Sequence, residues 1–167
     1  MIIRKPPSIL SDMNKYPVKI FLAGSIENGK ASMWQDKLIQ KFKNFPDSIL
    51  LLNPRRDNWD PTWSEDDENE QLQSQIDWEM IGMEHADIIV MHFEPETMSP
   101  ITLLELGLHA RKNKVIVHCP KGYWRRGNVL AVCRRYGITI VPSLKDLEKE
   151  LRNRIAMVGL FSGIIPA

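Results

Sequence analysis

Apolar residues follow two alternating spacings along the chain. Five short runs of consecutive apolar residues, rich in Val and Ile, have the length and composition of strands that are buried on both faces. Between them apolar residues recur every three or four positions, which predicts amphipathic helices. The predicted strands are 18–23, 48–52, 87–93, 115–119 and 138–141, and the predicted helices are 31–45, 69–85, 100–113, 128–136 and 144–157. This alternation predicts a doubly wound α/β domain with a five-stranded parallel sheet and helices on both faces.

The same pattern sets the expected domain limits. Residues 17–157 form one predicted domain. Residues 1–16 are polar and proline-bearing, which predicts an N-terminal arm over the surface, and residues 158–167 form an apolar, helix-poor tail expected to pack on the body or on a partner subunit. The connection 55–68 is too long for a plain loop in a compact domain, and loops of that length are usually functional.

One carboxylate interrupts the apolar stripe of the helix after the third strand. That helix is expected to start with Ser99 as its N-cap and Pro100 at its first position. Glu105 lies four residues after Ile101 and three before Leu108, so we expect it on their buried face. Burial of an unpaired carboxylate costs several kcal/mol. Glu105 is therefore either a core glutamate with a partner, or a desolvated nucleophile or general acid/base in a pocket.

Charge and cysteine content narrow the classes of function. The 22 basic and 21 acidic residues nearly cancel, which gives no indication of a nucleic-acid or membrane partner. Cys119 and Cys133 provide neither a disulfide framework nor a metal quartet, as is typical of a reducing cytosol. No membrane span and no signal-peptide core are apparent. We expect a cytoplasmic protein.

A near match to a phosphate-binding loop follows the first strand. Residues 24–31 have the sequence GSIENGKA, but Ala31 cannot supply the hydroxyl that holds Mg²⁺ in such loops. Glu27 would also place a negative charge where phosphates should lie. An NTPase is therefore disfavoured.

Loops at the carboxyl ends of the strands are the expected ligand site, because doubly wound sheets bind ligands at the switch point on that edge. The loops so placed are 24–30, 53–68, 94–99 and 120–127, and Glu105 lies beside them.

Four motifs in this order resemble the nucleoside 2-deoxyribosyltransferase superfamily, most closely its 2-deoxyribosyltransferase-like branch. The motifs are IFLAGSI at 20–26, NPRRDNW at 53–59, PETMSPITLLELG at 95–107 and GYWRRGN at 122–128. The resemblance implies a flavodoxin-like fold and exchange of the base of a 2′-deoxynucleoside for another free purine or pyrimidine base. It further implies no metal or organic cofactor, and a homo-oligomer with sites shared between subunits.

The resemblance also implies roles for individual residues. Glu105 matches the family's nucleophile, and Asp77 matches an aspartate that assists protonation of the base, unless Asp77 is only an exposed helix residue. Asn128 matches a sugar-binding asparagine, often of the neighbouring subunit, or is an N-cap. In the loop that follows the second predicted strand, Asp57 would hydrogen-bond to the base and Trp59 would stack on it.

Further contacts to substrate are expected at the ends of the first two predicted strands, at Gly24, Ser25 and Asn53.

Two positions depart from the family's pattern. Phe21 stands where bacterial transferases have a tyrosine that orients the nucleophile, so Ser25 or a partner residue would have to orient Glu105. Ser99 stands where they have a sugar-binding aspartate.

The serine at position 99 leaves two other functions open. A serine at that spacing occurs in 2′-deoxynucleoside 5′-phosphate N-hydrolases, where it helps to hold the phosphate. Such a hydrolase is the nearest alternative to the transferase, and a non-catalytic nucleotide-binding sensor on the same fold is the second.

Overall fold

Six parallel strands form the central sheet of the computed structural model, which describes residues 1–60, 62–64 and 69–161. The strands are β1 (Ile2–Arg4), β2 (Val18–Gly24), β3 (Ile49–Leu52), β4 (Ile88–His92), β5 (Val115–His118) and β6 (Thr139–Val141). The helices are α1 (Trp34–Lys41), α2 (Glu70–His85), α3 (Pro100–His109), α4 (Arg126–Tyr136) and α5 (Leu144–Phe161). Parts of the predicted loop 53–68 and of the predicted tail, residues 61, 65–68 and 162–167, lie outside the described residues.

The strand order β1-β3-β2-β4-β5-β6 confirms the predicted doubly wound α/β fold. Chain order reverses between β2 and β4, so the switch point lies where Gly24 pairs with His92. The two strands meet closely there, since a Cβ on Gly24 would lie 2.4 Å from the backbone oxygen of His92. A glycine with φ of 141° is therefore required at this position.

Two apolar layers cover the sheet. One face carries Phe21, Leu52 and Met91 together with side chains of α2, α3 and α4, and the other carries Ile20, Leu51 and Val90 with side chains of α1 and α5. The strand residues alternate between the two layers because successive side chains of a strand point to opposite faces. Helices α2 and α3 thus share one face of the sheet, and both of them flank β4.

The prediction of five strands was wrong by one, because the predicted N-terminal arm contributes β1. Residues Ile2–Arg4 pair in parallel with Leu50–Leu52, and the backbone N–H of Asn53 donates to the carbonyl of Arg4 at 2.9 Å. Three residues are too few to show an alternating pattern, so the hydrophobic spacing gave no sign of this strand.

Two predicted helices have different limits. The helix predicted for 31–45 is confined to Trp34–Lys41, because residues Glu27–Gly29 form a 3-10 turn before it. The tail predicted to be helix-poor from residue 158 is instead helical as far as Phe161. Val158 continues the stripe of Leu147, Leu151 and Ile155 against the sheet, which explains the longer helix.

Candidate active site

Glu105 is buried on the inner side of α3, with 8% of its surface exposed. Among the residues that the structure describes, none donates a hydrogen bond to its carboxylate. Burial, together with the negative charge of Glu79, raises the pKa of Glu105 to about 8. A carboxyl group with this pKa keeps its proton near neutral pH, which is unusual for glutamate and typical of functional sites.

Glu79 of α2 is the second acid of this region, and it is partly buried. Burial raises its pKa to about 7, against a smaller opposing effect of the hydrogen bond from Gln75. The Nε2 atom of Gln75 donates to Glu79 Oε1 at 2.7 Å and to the carbonyl of Pro54 at 3.0 Å. The side-chain amide of Gln75 therefore links the Glu79 carboxyl group to the loop after β3. Glu79 and Glu105, hereafter the carboxylate pair, are therefore two interacting carboxyl groups whose pKa values are both raised toward neutral pH.

The structure does not bring Asp77 to Glu105. Asp77 is exposed and lines a groove of about 480 Å³ between α2 and the N-terminal segment, beside Ser8 and Leu10. Glu79, two residues later, is the acid of α2 that acts on Glu105.

The sequence contains a signal for Glu79 that hydrophobic spacing alone does not use. The buried positions of α2 are Leu72, Gln75, Trp78, Gly82 and Met83. Gln75 is thus a polar residue on the buried face, and Glu79 follows it one turn later. The reasoning that singles out Glu105 applies equally to such a pair.

Three hydroxyl groups form a closed cluster at the switch point. The Ser25 and Ser99 oxygens lie 2.6 Å apart, and Thr97 Oγ1 lies 2.8 Å from each of them. The backbone N–H of Glu94 donates to Ser25 Oγ at 2.8 Å, and Thr97 donates to the carbonyl of Glu94 at 2.9 Å. Ser25 is therefore engaged in this hydroxyl cluster, and none of its contacts described here is with Glu105.

Ser99 is the N-cap residue of α3 and Pro100 is the first residue of the helix, as predicted, but Ser99 adopts a left-handed conformation with φ of 46° and its hydroxyl makes no capping hydrogen bond. Just before the helix, the Oε2 atom of Glu27 accepts the backbone N–H groups of Met98 at 2.6 Å and Ser99 at 3.3 Å. Glu27 also has a positive φ, of 44°.

The loop after β3 carries two of the predicted base contacts, Asp57 and Trp59. Asp57 is exposed and forms an ion pair of 2.5 Å with Lys5. Trp59 packs edge-on against Trp63, with ring centroids 5.0 Å apart. Their roles toward a base stay predictions.

Phe21, Asn53 and Asn128 occupy three different environments. Phe21 is fully buried, and its ring packs 6.0 Å from that of Trp78. Asn53 is also fully buried, and its Oδ1 accepts the backbone N–H of Arg55 at 3.1 Å while its Nδ2 has no partner. Asn128 is exposed on the first turn of α4. Of the three, Asn53 alone presents an unsatisfied buried donor at the carboxyl edge of the sheet.

Two histidines stack at the ends of β4 and β5. The rings of His92 and His118 are nearly parallel with centroids 4.8 Å apart, and their Nδ1 atoms lie 2.9 Å from each other. Burial lowers both pKa values, that of His92 to about 4, so the two rings are neutral at pH 7. Glu94 lies 4.0 Å from His92 and accepts two hydrogen bonds from Ser32, which fixes the loop beside the pair.

The outer face of α3 is apolar and uncovered. Ile101, Leu104 and Leu108 were predicted to be buried with Glu105, yet each is about 60% exposed, at 59%, 60% and 58%. Met98 and Trp124, at 49% and 45%, adjoin this face, and Trp124 Nε1 donates to the Met98 carbonyl at 3.0 Å. These five residues are hereafter the α3 patch. Glu105 lies at the border between the patch and the face of α3 that meets the sheet.

Two further properties concern the described residues only. Within residues 1–60, 62–64 and 69–161, no three His, Cys, Asp or Glu side chains are grouped so that they could hold a metal ion. Over the same ranges, no helix combines the length and the apolar character needed to cross a membrane.

Comparison with known proteins gives one family and one fold. The family model described as "Nucleoside 2-deoxyribosyltransferase like" matches residues 17–123. A solved structure, titled a conserved protein from Enterococcus faecalis V583, is similar with a TM-score of 0.60 at 15% identity, covering 82% of this chain and 98% of that one. No curated protein matches the chain. At that identity the likeness of the solved structure shows the fold alone.

Proposed function

This chain belongs to the nucleoside 2-deoxyribosyltransferase-like family, and from this premise we propose that it exchanges the base of a 2′-deoxynucleoside through a covalent ester on Glu105. The observation that carries the proposal is the carboxylate pair: a buried acid and a partly buried acid, both with raised pKa values, on two helices that flank β4. The exchange needs one carboxylate as a nucleophile and one acid that can give up and recover a proton, and two carboxyl groups with pKa values near neutral pH suit both roles.

In the first half-reaction, the bond between C1′ and the base nitrogen breaks and its electron pair leaves with the base. A proton passes from Glu79 to the departing base, and an oxygen of Glu105 forms an ester bond to C1′. The positive charge that develops on the sugar favours the ionised form of Glu105, so Glu105 attacks as a carboxylate while Glu79 serves as the acid. Glu79 thereby takes the role that the sequence assigned to Asp77.

In the second half-reaction, a nitrogen of the acceptor base attacks C1′ from the side that the first base left. The ester bond breaks, its electron pair returns to Glu105, and the proton of the acceptor nitrogen passes to Glu79. Two inversions at C1′ give net retention of configuration. Charges and protons balance over the cycle, and the enzyme returns to its initial state.

A homo-oligomer with shared sites is part of the proposal. The α3 patch supports it, because five large apolar side chains on one exposed surface favour burial against another copy. The patch adjoins Glu105 along the same helix, so a second copy seated there would lie beside the carboxylate pair. The exposed Asn128 could then reach the sugar in a neighbouring subunit. We place the reaction in the cytoplasm, in salvage of deoxynucleosides, where the buried free thiols Cys119 and Cys133 would stay reduced.

The test is incubation with thymidine or deoxyinosine, with and without excess adenine, followed by chromatographic separation of the products. Formation of deoxyadenosine by the wild type, and its loss in Glu105→Ala, supports the transferase. Free base without the new nucleoside points to hydrolysis. Saturable binding that persists in Glu105→Gln, with no turnover of nucleosides or their 5′-monophosphates, would refute the enzyme and leave a binding module.

A further inference from the structure

We propose that Glu27 determines specificity against phosphorylated substrates, because its carboxylate occupies the position on α3 at which a 5′-phosphate would bind. The inference rests on the proposed function and deepens it: the substrate is the free 2′-deoxynucleoside, and its 5′-monophosphate is rejected.

The contacts of Glu27 are those of a bound anion. Its Oε2 accepts the backbone N–H groups of Met98 and Ser99 at 2.6 and 3.3 Å, just before the first turn of α3. N–H groups at the start of a helix carry partial positive charge and bind phosphate readily. Its other oxygen, Oε1, lies 3.8 Å from Lys30 Nζ, and the Glu27 side chain is 20% exposed. The carboxylate thus uses donors that a phosphate oxygen would otherwise use.

The backbone is held in an unusual conformation to make this contact. Glu27 and Ser99 are two of the three non-glycine residues with positive φ in the described part of the chain. Residues other than glycine rarely adopt this backbone conformation, because their Cβ atom crowds the following carbonyl oxygen. Both ends of the contact are therefore strained, which favours a defined role for it over an incidental meeting of two loops.

The neighbouring hydroxyl groups have no free proton to donate to a phosphate. Ser25, Thr97 and Ser99 make four close contacts among themselves and with the Glu94 carbonyl, and they have only three hydroxyl protons for them. All three protons are used within the hydroxyl cluster. Ser99 is therefore engaged within this cluster.

The distance from Glu27 to the reacting carbon suits the length of a sugar. Ser99 precedes Glu105 by six residues, about 9 Å along the helix axis. Side chains of a helix lean toward its N-terminus, which shortens the separation of the Glu105 carboxylate from the Met98 and Ser99 amides just before α3. A sugar that presents C1′ to Glu105 can extend its 5′ end toward these amides. A phosphate at these amides would lie next to the Glu27 carboxylate. Two adjacent negative charges repel each other strongly in a partly buried site.

The experiment compares kcat/KM for a deoxynucleoside and its 5′-monophosphate in the wild type and three variants. Glu27→Gln removes the charge at nearly constant shape, and Glu27→Ala also frees the amides. Glu96→Gln is the matched control, because it removes an exposed carboxylate from the loop that carries the Met98 and Ser99 amides. We expect the preference for the nucleoside to fall at least tenfold in both Glu27 variants, mainly through KM for the monophosphate, and to stay unchanged in the control.

A second measurement does not depend on turnover. Inorganic phosphate should raise the Tm of Glu27→Ala, and should leave the Tm of the wild type and of Glu96→Gln unchanged. If the wild type turns over neither substrate, the proposed function fails, while this phosphate effect still tests the anion position. A wild type that prefers the monophosphate overturns the assignment. So does an unchanged substrate preference in both Glu27 variants, or, where no turnover exists, the absence of any phosphate effect in Glu27→Ala.

Discussion

Replacement of Glu105 by glutamine should stabilise the protein while it abolishes activity. The carboxyl is buried, and its pKa rises from 4.5 to about 8 on folding. A glutamate with a raised pKa binds its proton more tightly in the folded state, so stability is greatest below pH 4.5 and declines as the pH rises toward 8. By linkage, the decline between pH 4.5 and pH 7 amounts to about 3 kcal/mol for such a shift. Glutamine does not titrate and avoids the penalty.

We expect Glu105→Gln to gain about 1–3 kcal/mol at pH 7, because local relaxation absorbs part of the full penalty. For a chain of this length that gain corresponds to a rise in Tm of roughly 2–4 °C per kcal/mol. This gain in stability is measured by thermal unfolding of the wild type, Glu105→Gln and the exposed-site control Glu96→Gln at pH 4.5, 7 and 8. The difference should be near zero at pH 4.5 and grow with pH. A lower Tm of the variant at pH 7, or a difference independent of pH, would refute the reasoning.

Three further predictions concern the second acid, the α3 patch and the switch point. Glu79→Gln should lower kcat/KM by about 10²-fold or more and remove the fall in rate above about pH 7, whereas Asp77→Asn should change the rate less than threefold. Steady-state kinetics from pH 6 to 9 decide between them, and the opposite order would restore Asp77. Leu104→Arg should reduce the molar mass found by light scattering, and a wild type that is already monomeric rules out this role for the patch. Gly24→Ala should cost at least about 3 kcal/mol in urea unfolding, while Gly107→Ala, which meets no atom within 4 Å, should be neutral or stabilising; equal effects would contradict the close contact at the switch point.

Most of the fold follows from the sequence because strand burial and helix periodicity agree with each other. Each of the five predicted strands lies within two residues of an observed one. The missed strand β1 has three residues, and its pairing depends on the exposed edge of β3, which no local pattern encodes. Tertiary context, and not propensity, places this segment in the sheet.

The site was only partly predictable, and α3 shows why. Its hydrophobic pattern correctly indicated that Glu105 is buried, but it could not tell which apolar residues face the sheet and which face outward. Ile101 and Leu104 are apolar, as core residues are, yet they are exposed on the outer face of α3. A hydrophobic pattern does not distinguish residues that pack on the sheet from residues on an uncovered face. Glu27 was similarly beyond reach, because its contact with Met98 joins two loops that are 71 residues apart.

The two edges of the sheet limit how copies of this chain can meet. Both edge strands, Ile2–Arg4 and Thr139–Val141, are only three residues long, whereas β2, at the centre, has seven. Arg154 also donates to the Thr139 hydroxyl at 3.0 Å, which places a charged side chain beside the second edge. A short, charged edge offers a neighbouring chain few free N–H and C=O groups, and this protects against runaway strand addition and fibre formation. Association through strand addition at the sheet edges is therefore disfavoured. This leaves the helical faces as the surfaces through which copies of this chain can form a closed oligomer of fixed size.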